Sequence, residues 1–186
     1  MASSTAFDPT QYLADKDAPI ARLSAKKFFD QLTTKEKLYA HYFSKAGHWG
    51  SRAVLRSVSP ESEGIFDLIL QVHRAVGAAS DASDASYEEY FAANSIDGAI
   101  VKAYLEYASQ VLANLGNYKS FGDSKFVPRL SVEEFQLLVD SLKNEQISAL
   151  FDSVKRAIYS LDDKIAMLGS PEDGHVSGYY LNVVSK

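Results

Sequence analysis

The chain is organised around one stretch that cannot continue a helix: Gly116-Asn117-Tyr118-Lys119-Ser120-Phe121-Gly122-Asp123-Ser124-Lys125-Phe126-Val127-Pro128. Its glycines, serines and short polar residues predict an irregular connection between two helices. It nevertheless contains Tyr118, Phe121, Phe126 and Val127, which a purely solvated linker would not need. Aromatic side chains in a glycine-containing loop either pack onto the protein body or meet a ligand. The residues alone leave both interpretations open.

Strong helical patterns lie on both sides of this stretch. The segment before it places five apolar or aromatic side chains on one face: Ile100, Tyr104, Tyr107, Val111 and Leu115. Gly116 is expected to take the left-handed conformation common at helix ends. After the stretch, Ser131 with Glu134 forms a capping box at the start of a helix. Asn144 is expected to start a last helix that continues to Leu168.

Further helices are predicted in the N-terminal half, including short ones over 25–32 and 87–94. Thr33 with Glu36 forms a capping box before a long helix that ends near Val58. Five of its residues recur at spacings of three and four, which predicts one buried stripe. They are Leu38, Tyr42, Ala46, Trp49 and Ala53. Next, Ser59-Pro60-Glu61 combines a cap, a proline and an acid, and predicts the start of another helix.

These segments predict a mainly α-helical, bundle-like body over residues 20–170. Residues 1–19 are polar and contain two prolines, and are expected to form a loose arm. Residues 171–186 are expected to form a strand and a divergent tail. The strand would lie within 175–184, which is aromatic and β-branched. A single strand cannot satisfy its own hydrogen bonds, so a partner outside the helical body is expected.

The composition bounds the function. The chain has 186 residues, a net charge of −5 and no cysteine. The absence of cysteine excludes disulfides and cysteine nucleophiles and fits a reducing compartment, so a cytoplasmic location is expected. Basic residues do not outnumber acidic ones, and nucleic acid is therefore not an expected partner. No apolar run approaches the roughly 20 residues of a membrane span, so a membrane is not an expected partner either.

No catalytic or metal-binding constellation is visible in the sequence. His41 and His48 lie seven residues apart, which is roughly 10 Å along a helix and too far for a single zinc ion. The other two histidines, His73 and His175, have no acidic partner at metal-binding spacing. Paired acids such as Glu133-Glu134 are adjacent in sequence and point about 100° apart on a helix. We therefore expect neither catalytic nor metal-binding residues in this chain.

Three stretches of the chain resemble the dipeptidyl peptidase III family, which are zinc exopeptidases that release dipeptides from the N-termini of short peptides. The most specific stretch is 116–128, quoted above. The others are 36–61, which begins Glu-Lys-Leu-Tyr-Ala, and 160–180, which ends Gly-His-Val-Ser-Gly-Tyr-Tyr. Their order and spacing are similar to the N-terminal part of a family member. The resemblance implies the helical part of the lobe that does not carry the zinc.

The resemblance also implies a substrate-binding role for the central loop. Phe121 would line an apolar subsite for the N-terminal residues of a short peptide. Ser120 and Gly122 would flank it, with backbone groups available to an extended peptide. Zinc is the cofactor of the family, but its His-Glu-x-x-x-His motif does not occur in this sequence. Metal-activated water is therefore not expected from this chain.

Taken with the resemblance, the sequence predicts a truncated family member that is inactive alone and contributes a cleft-lining substrate loop. Its expected partners are short peptides and a separate zinc-bearing lobe. A stand-alone helical module that binds peptides or proteins is the alternative. Truncation also predicts exposed apolar surface, with dimerisation or poor solubility as a consequence.

Overall fold

A computed structural model describes residues 8–19, 21, 23–78, 86–120, 124–166 and 169–176. Within these residues the fold is mainly helical, as predicted, and isolated β-bridges take the place of a sheet. None of the described helices is long and apolar enough to span a membrane. The α-helices are α1 (Lys26–Phe29), α2 (Thr34–Val58), α3 (Ser62–Ala78), α4 (Tyr87–Ala93), α5 (Gly98–Asn114), α6 (Val132–Ser141), α7 (Glu145–Tyr159) and α8 (Asp163–Ala166).

The hydrophobic core lies where α3, α5, α6 and α7 meet. An aromatic chain crosses it: the rings of Tyr104 and Phe135 are 5.5 Å apart, and those of Phe135 and Phe151 are 4.5 Å apart. Capping boxes at the starts of α2 and α6 are present as predicted, and the Asn144 side chain caps α7. Local capping chemistry thus fixes several of the helix starts, and the shared core positions the helices.

Gly64 allows α3 to approach α7 closely. A Cβ atom at this position would lie 2.8 Å from Cγ1 of Val154, whereas a Cβ atom at Gly77 in the same helix would meet nothing within 4 Å. Gly64→Ala is therefore expected to lower the free energy of unfolding by about 1–3 kcal/mol through overpacking. Gly77→Ala should raise it by about 0.5–1 kcal/mol through helix propensity. Urea unfolding measures both, and a stabilising Gly64→Ala would contradict the close approach.

The core contains two buried tyrosines, Tyr104 and Tyr107. Their hydroxyl groups are buried and have no hydrogen-bond partner in the described part of the chain. Burial raises the pKa of both well above the ordinary value. Changing either to phenylalanine should leave the unfolding free energy unchanged or raise it by about 1 kcal/mol, because an unpaired hydroxyl is costly to desolvate.

Tyr159 provides the control for these two tyrosines. Its hydroxyl lies 3.0 Å from the carbonyl oxygens of Leu130 and Ser131. Tyr159→Phe removes a hydrogen bond that is made, and should therefore lower the unfolding free energy by about 1 kcal/mol. Equal losses in all three phenylalanine variants, measured by urea unfolding, would mean that the core hydroxyls are satisfied in solution.

The predicted buried stripe on α2 is wrong. The helix spans almost the predicted residues, but Leu38, Tyr42 and Trp49 are exposed. The buried side chains of α2 are Leu55 and Val58, near its C-terminal end, where it packs against α3. Periodicity identified an apolar face correctly but could not say whether this chain covers that face.

Two helix boundaries differ from the prediction. The helix that follows Ser59-Pro60-Glu61 begins at Ser62, because the side chains of Ser59 and Glu61 are used elsewhere, as described below. The helix that starts after Asn144 ends at Tyr159 rather than continuing to Leu168, which lies outside the described residues. Ser160 is extended there, and the buried Lys125 ammonium occupies the carbonyl groups at this helix end.

The two ends of the chain also bear on the prediction. Within the expected N-terminal arm, the N–H of Ala14 donates to the carbonyl of Val127 at 2.8 Å, and the N–H of Val127 donates to Tyr12 at 2.7 Å. This part of the arm therefore lies against the body. Of the expected C-terminal strand, His175 and Val176 are not in a strand, and residues 177–186 lie outside the described residues.

Candidate functional site

The central stretch closes into a short hairpin. Tyr118 and Lys125 form an antiparallel bridge. The N–H of Lys119 donates to the carbonyl of Ser124 at 2.9 Å, and the N–H of Phe126 donates to that of Asn117 at 3.0 Å. The two ends of the loop are therefore held side by side. Residues 121–123 at its tip lie outside the described residues, so the predicted site residues Phe121 and Gly122 do as well.

A buried polar network anchors the first end of the hairpin. Asn117 is completely buried, and its amide nitrogen donates to a carboxylate oxygen of Glu61 at 3.0 Å. Its amide oxygen accepts from the hydroxyls of Ser59 and Ser62, each at 3.4 Å. Burying four polar groups is favourable only when they satisfy one another. The network therefore fixes the start of the loop onto the turn between α2 and α3.

The residues just before Asn117 make a sharp turn, with a detail that differs from the prediction. Leu115, not Gly116, takes the left-handed conformation, with φ of 52°. Gly116 has φ of 152°, and a Cβ atom there would lie 3.0 Å from Val58 and 3.1 Å from Ser62. Glycine is needed at 116 because the backbone passes close to the α2–α3 turn.

A buried lysine anchors the second end of the hairpin. The Lys125 side chain is completely buried, and its ammonium donates to the carbonyl oxygens of Ala157 and Ser160, the latter at 2.8 Å. Burial lowers the pKa of this ammonium to about 8, against an opposing effect of Glu61. Carbonyl groups at a helix C-terminus carry partial negative charge and suit a cation. Lys125 thus joins the loop to the end of α7.

The apolar side chains of the hairpin base pack into the body. Tyr118, Phe126 and Val127 are all buried, and the rings of Phe126 and Tyr107 lie 5.8 Å apart. Of the two interpretations left open by the sequence, packing is confirmed for these three side chains. For Phe121 contact with a ligand stays a prediction.

Ser120 lies at the exposed edge of the hairpin. Its N–H donates to the side-chain oxygen of Asn114 at 2.9 Å. Beside it is a surface cavity of about 380 Å³, enclosed by the N-terminal segment, α5 and the loop. The polar groups that line this cavity are Asp15, Ser109, Gln110, Asn114, Lys119 and Ser120. Lys119 and Asp15 form an ion pair at 3.3 Å across its wall. The cavity offers hydrogen-bond donors and acceptors next to Ser120.

Curated proteins match almost the whole chain. It is 36% identical over 177 residues to dipeptidyl peptidase 3 of Dictyostelium discoideum, a match that covers 94% of this chain and 24% of the relative. The chain belongs to the dipeptidyl peptidase 3 family. It is also 37% identical over 191 residues to the Nematostella vectensis protein and 31% identical over 170 residues to the human one.

These matches confirm the resemblance seen in the sequence. They cover 97% of this chain and 25% of the Nematostella dipeptidyl peptidase 3, and 89% of this chain and 22% of the human one. The chain thus spans about a quarter of the length of the curated relatives. No family model matches it.

Side chains able to bind a metal are not clustered in the described part of this dipeptidyl peptidase 3 relative. It contains no group of three or more histidine, cysteine, aspartate or glutamate side chains placed to hold a metal ion. The Nδ1–H of His48 donates a hydrogen bond to the Ser44 carbonyl at 2.7 Å, and the Nδ1 of His73 shares a hydrogen bond with the hydroxyl of Tyr87 at 2.8 Å.

The residues that position the loop of this dipeptidyl peptidase 3 relative could not be recognised from any single motif in the sequence. In the sequence, Asn117 and Lys125 stand out only as members of the irregular stretch 116–128. Glu61 looked like a first-turn acid of a helix. The signal that could have found Asn117 and Glu61 is the clustering of small polar residues in two turns that flank apolar helices. Nothing local in the sequence indicates the partners of Lys125, which come from α7.

Proposed function

We propose that this chain forms a substrate-contacting part of a zinc-dependent dipeptidyl peptidase, in which the hairpin 116–128 holds the N-terminal end of a short peptide. The observation that carries the proposal is the double anchoring of the hairpin by Asn117 and Lys125. A loop held at both ends can present its tip without a large entropic cost on binding. Phe121 supplies the apolar contact, and Ser120 and Gly122 flank it.

The chain's own residues would bind and orient the substrate rather than break a bond. The apolar tip takes up an N-terminal side chain, and the backbone around Ser120 and Gly122 pairs with the extended peptide. In the family zinc supplies the activated water, and it would be held by residues other than those described in this chain. The 186-residue chain alone is therefore expected not to hydrolyse dipeptidyl arylamides, and chelator-sensitive turnover by it would refute this proposal.

Phe121 and Phe126 offer a matched test of the loop. Phe126 is completely buried, so Phe126→Ala should lower the unfolding free energy by about 3–5 kcal/mol. Phe121→Ala should leave the melting temperature nearly unchanged, because we assign Phe121 to a ligand rather than to the core. A loss of several degrees in Phe121→Ala would favour packing instead.

Peptide titrations complete the test. In the wild-type chain, the tetrapeptide Leu-Leu-Ala-Ala should shift the backbone NMR signals of the loop, and Gly-Gly-Ala-Ala should shift them much less. Phe121→Ala should abolish this difference while the core signals stay in place. Equal responses to both peptides in the wild-type chain would contradict an apolar subsite at Phe121.

A further inference from the structure

Helix α2 carries a large aromatic surface that the described part of the chain leaves open. Five side chains form it, and we call them the α2 band. Their exposed fractions are 51% for Leu38, 69% for Tyr39, 64% for Tyr42, 68% for Phe43 and 81% for Trp49. The rings of Tyr39 and Phe43 stack at 5.7 Å, so the band is already ordered in part. Single exposed apolar residues need no explanation, but a contiguous aromatic surface does.

The α2 band faces away from the protein body. At about 100° per residue, its five members fall within an arc of about 140° on the helix. Leu55 and Val58, through which α2 packs on the body, fall on the opposite side. A Cβ atom added at Gly47 or Gly50 would meet nothing within 4 Å. The band is therefore a second apolar face of α2, separate from the one that holds α2 to α3.

The exposed area is comparable to a functional surface patch. Each large aromatic side chain offers about 150–250 Å². At the observed exposures, the α2 band presents on the order of 600 Å². This is about three quarters of one partner's share of a standard protein–protein interface, and it lies at the upper end of the roughly 300–600 Å² of the largest patch on a typical monomer, which is often functional.

The charges around the band define what can cover it. Lys35 and Lys45 lie on α2 and form no ion pair within the described residues. At the other end of α2, Arg56 pairs with Glu63 at 2.7 Å and Arg52 with Asp67 at 2.6 Å. Glu36, the acidic residue of α2, also forms no ion pair within the described residues but accepts hydrogen bonds from Thr33 at the start of the helix, so the unpaired charge beside the band is on balance positive. A second copy of α2 would bring like charges together, whereas a surface with an acidic rim would be complementary.

We propose that the α2 band is a docking surface for an apolar, acid-rimmed surface in the remaining part of a dipeptidyl peptidase 3 polypeptide. This inference rests on the proposed function. The matched stretch is about a quarter of the curated relatives, so those proteins contain ample further sequence to cover the band. Docking there would hold the substrate hairpin, which is anchored on the turn between α2 and α3, in a fixed position relative to the rest of the enzyme.

The test uses a chimera in which this chain replaces the matched stretch of Dictyostelium dipeptidyl peptidase 3. The band variant is Leu38→Ser, Tyr42→Ser and Trp49→Ser together, and the control is Leu137→Ser on α6, which is 52% exposed. In the isolated chain both should leave the melting temperature nearly unchanged. In the chimera the band variant should lower it by about 4 °C or more, and the control should not.

Three results would overturn the proposal. The first is that the band-variant chimera and the wild-type chimera have the same melting temperature. The second is that Leu137→Ser lowers the melting temperature of the chimera as much as the band variant does. The third is that the isolated chain sediments as a dimer that the band variant dissociates. The last result would assign the band to a second copy. Dipeptidyl-arylamide turnover by the chimera tests the proposed function separately: Phe121→Ala should weaken turnover without changing the melting temperature. A band-dependent melting temperature without turnover would refute the proposed function and leave docking intact.

Discussion

Asn117→Ala is expected to lower the free energy of unfolding by about 2–4 kcal/mol. The Asn117 amide is completely buried and donates to the carboxylate of Glu61, which is itself buried. In the alanine variant, the Glu61 carboxylate loses its amide donor in a buried site that water barely reaches. The hydroxyls of Ser59 and Ser62 still have each other at 2.7 Å, so the main cost falls on the charged group. Urea unfolding at neutral pH measures the loss.

Asn114 is the matched control for Asn117. It also contacts the loop, since its side-chain oxygen accepts the N–H of Ser120, and its amide donates to the carbonyl of Gln110 at 2.8 Å. It is only partly buried, so water can replace these partners. Asn114→Ala should therefore cost less than about 1 kcal/mol. Similar losses in the two variants would mean that the buried network does not anchor the loop.

The helices of this fold could be predicted because their signals are local. Thr33 with Glu36 and Ser131 with Glu134 each bring cap and partner within one turn, and both capping boxes form. Asn144 caps α7 for the same reason. These interactions depend on neighbouring residues only, so the rest of the fold cannot change them greatly.

Whether each apolar helix face is buried or exposed could not be predicted in the same way. The stripe that includes Leu38 and Trp49 has the same period as the face of α5 that includes Tyr104 and Val111, yet the first is exposed and the second buried. Periodicity gives the direction of a face, whereas burial depends on which other elements lie against it. The predicted C-terminal end of α7 was wrong for a similar reason, because the residue that binds its last carbonyl groups comes from the central loop.

In the candidate site, too, the features set by local sequence could be predicted and those set by distant contacts could not. That the stretch 116–128 forms a loop followed from its glycines and polar residues. That Tyr118 and Phe126 pack inward and that Lys125 is buried depend on contacts with α5, α7 and α8 that no local pattern indicates. The roles of Ser120, Phe121 and Gly122 came from family resemblance alone and await the peptide titrations.

Lys125→Met should change how the stability of the chain depends on pH. The pKa of the Lys125 ammonium is about 8 in the folded protein because the side chain is buried, against 10.5 for an ordinary lysine. The unfolded chain therefore binds a proton more readily than the folded chain between these values. Deprotonation removes the cost of burying the charge, so stability from this residue is present above the higher pKa and lost as the pH falls towards 8.

The difference between the folded and the unfolded pKa of Lys125 corresponds to about 3 kcal/mol of unfolding free energy. About 2 kcal/mol of this falls between about pH 7.5 and pH 9.5. The wild-type chain should gain that much relative to Lys125→Met over this range, because methionine keeps the apolar stem and carries no titrating group. The other titrating groups are common to both proteins, so their contributions cancel in the comparison. Lys119→Met is the control: Lys119 lies in the same loop but is partly exposed, and its variant should follow the wild-type profile. Parallel profiles for wild type and Lys125→Met would mean that water reaches the Lys125 ammonium, and that the end of α7 does not hold the loop through a desolvated charge.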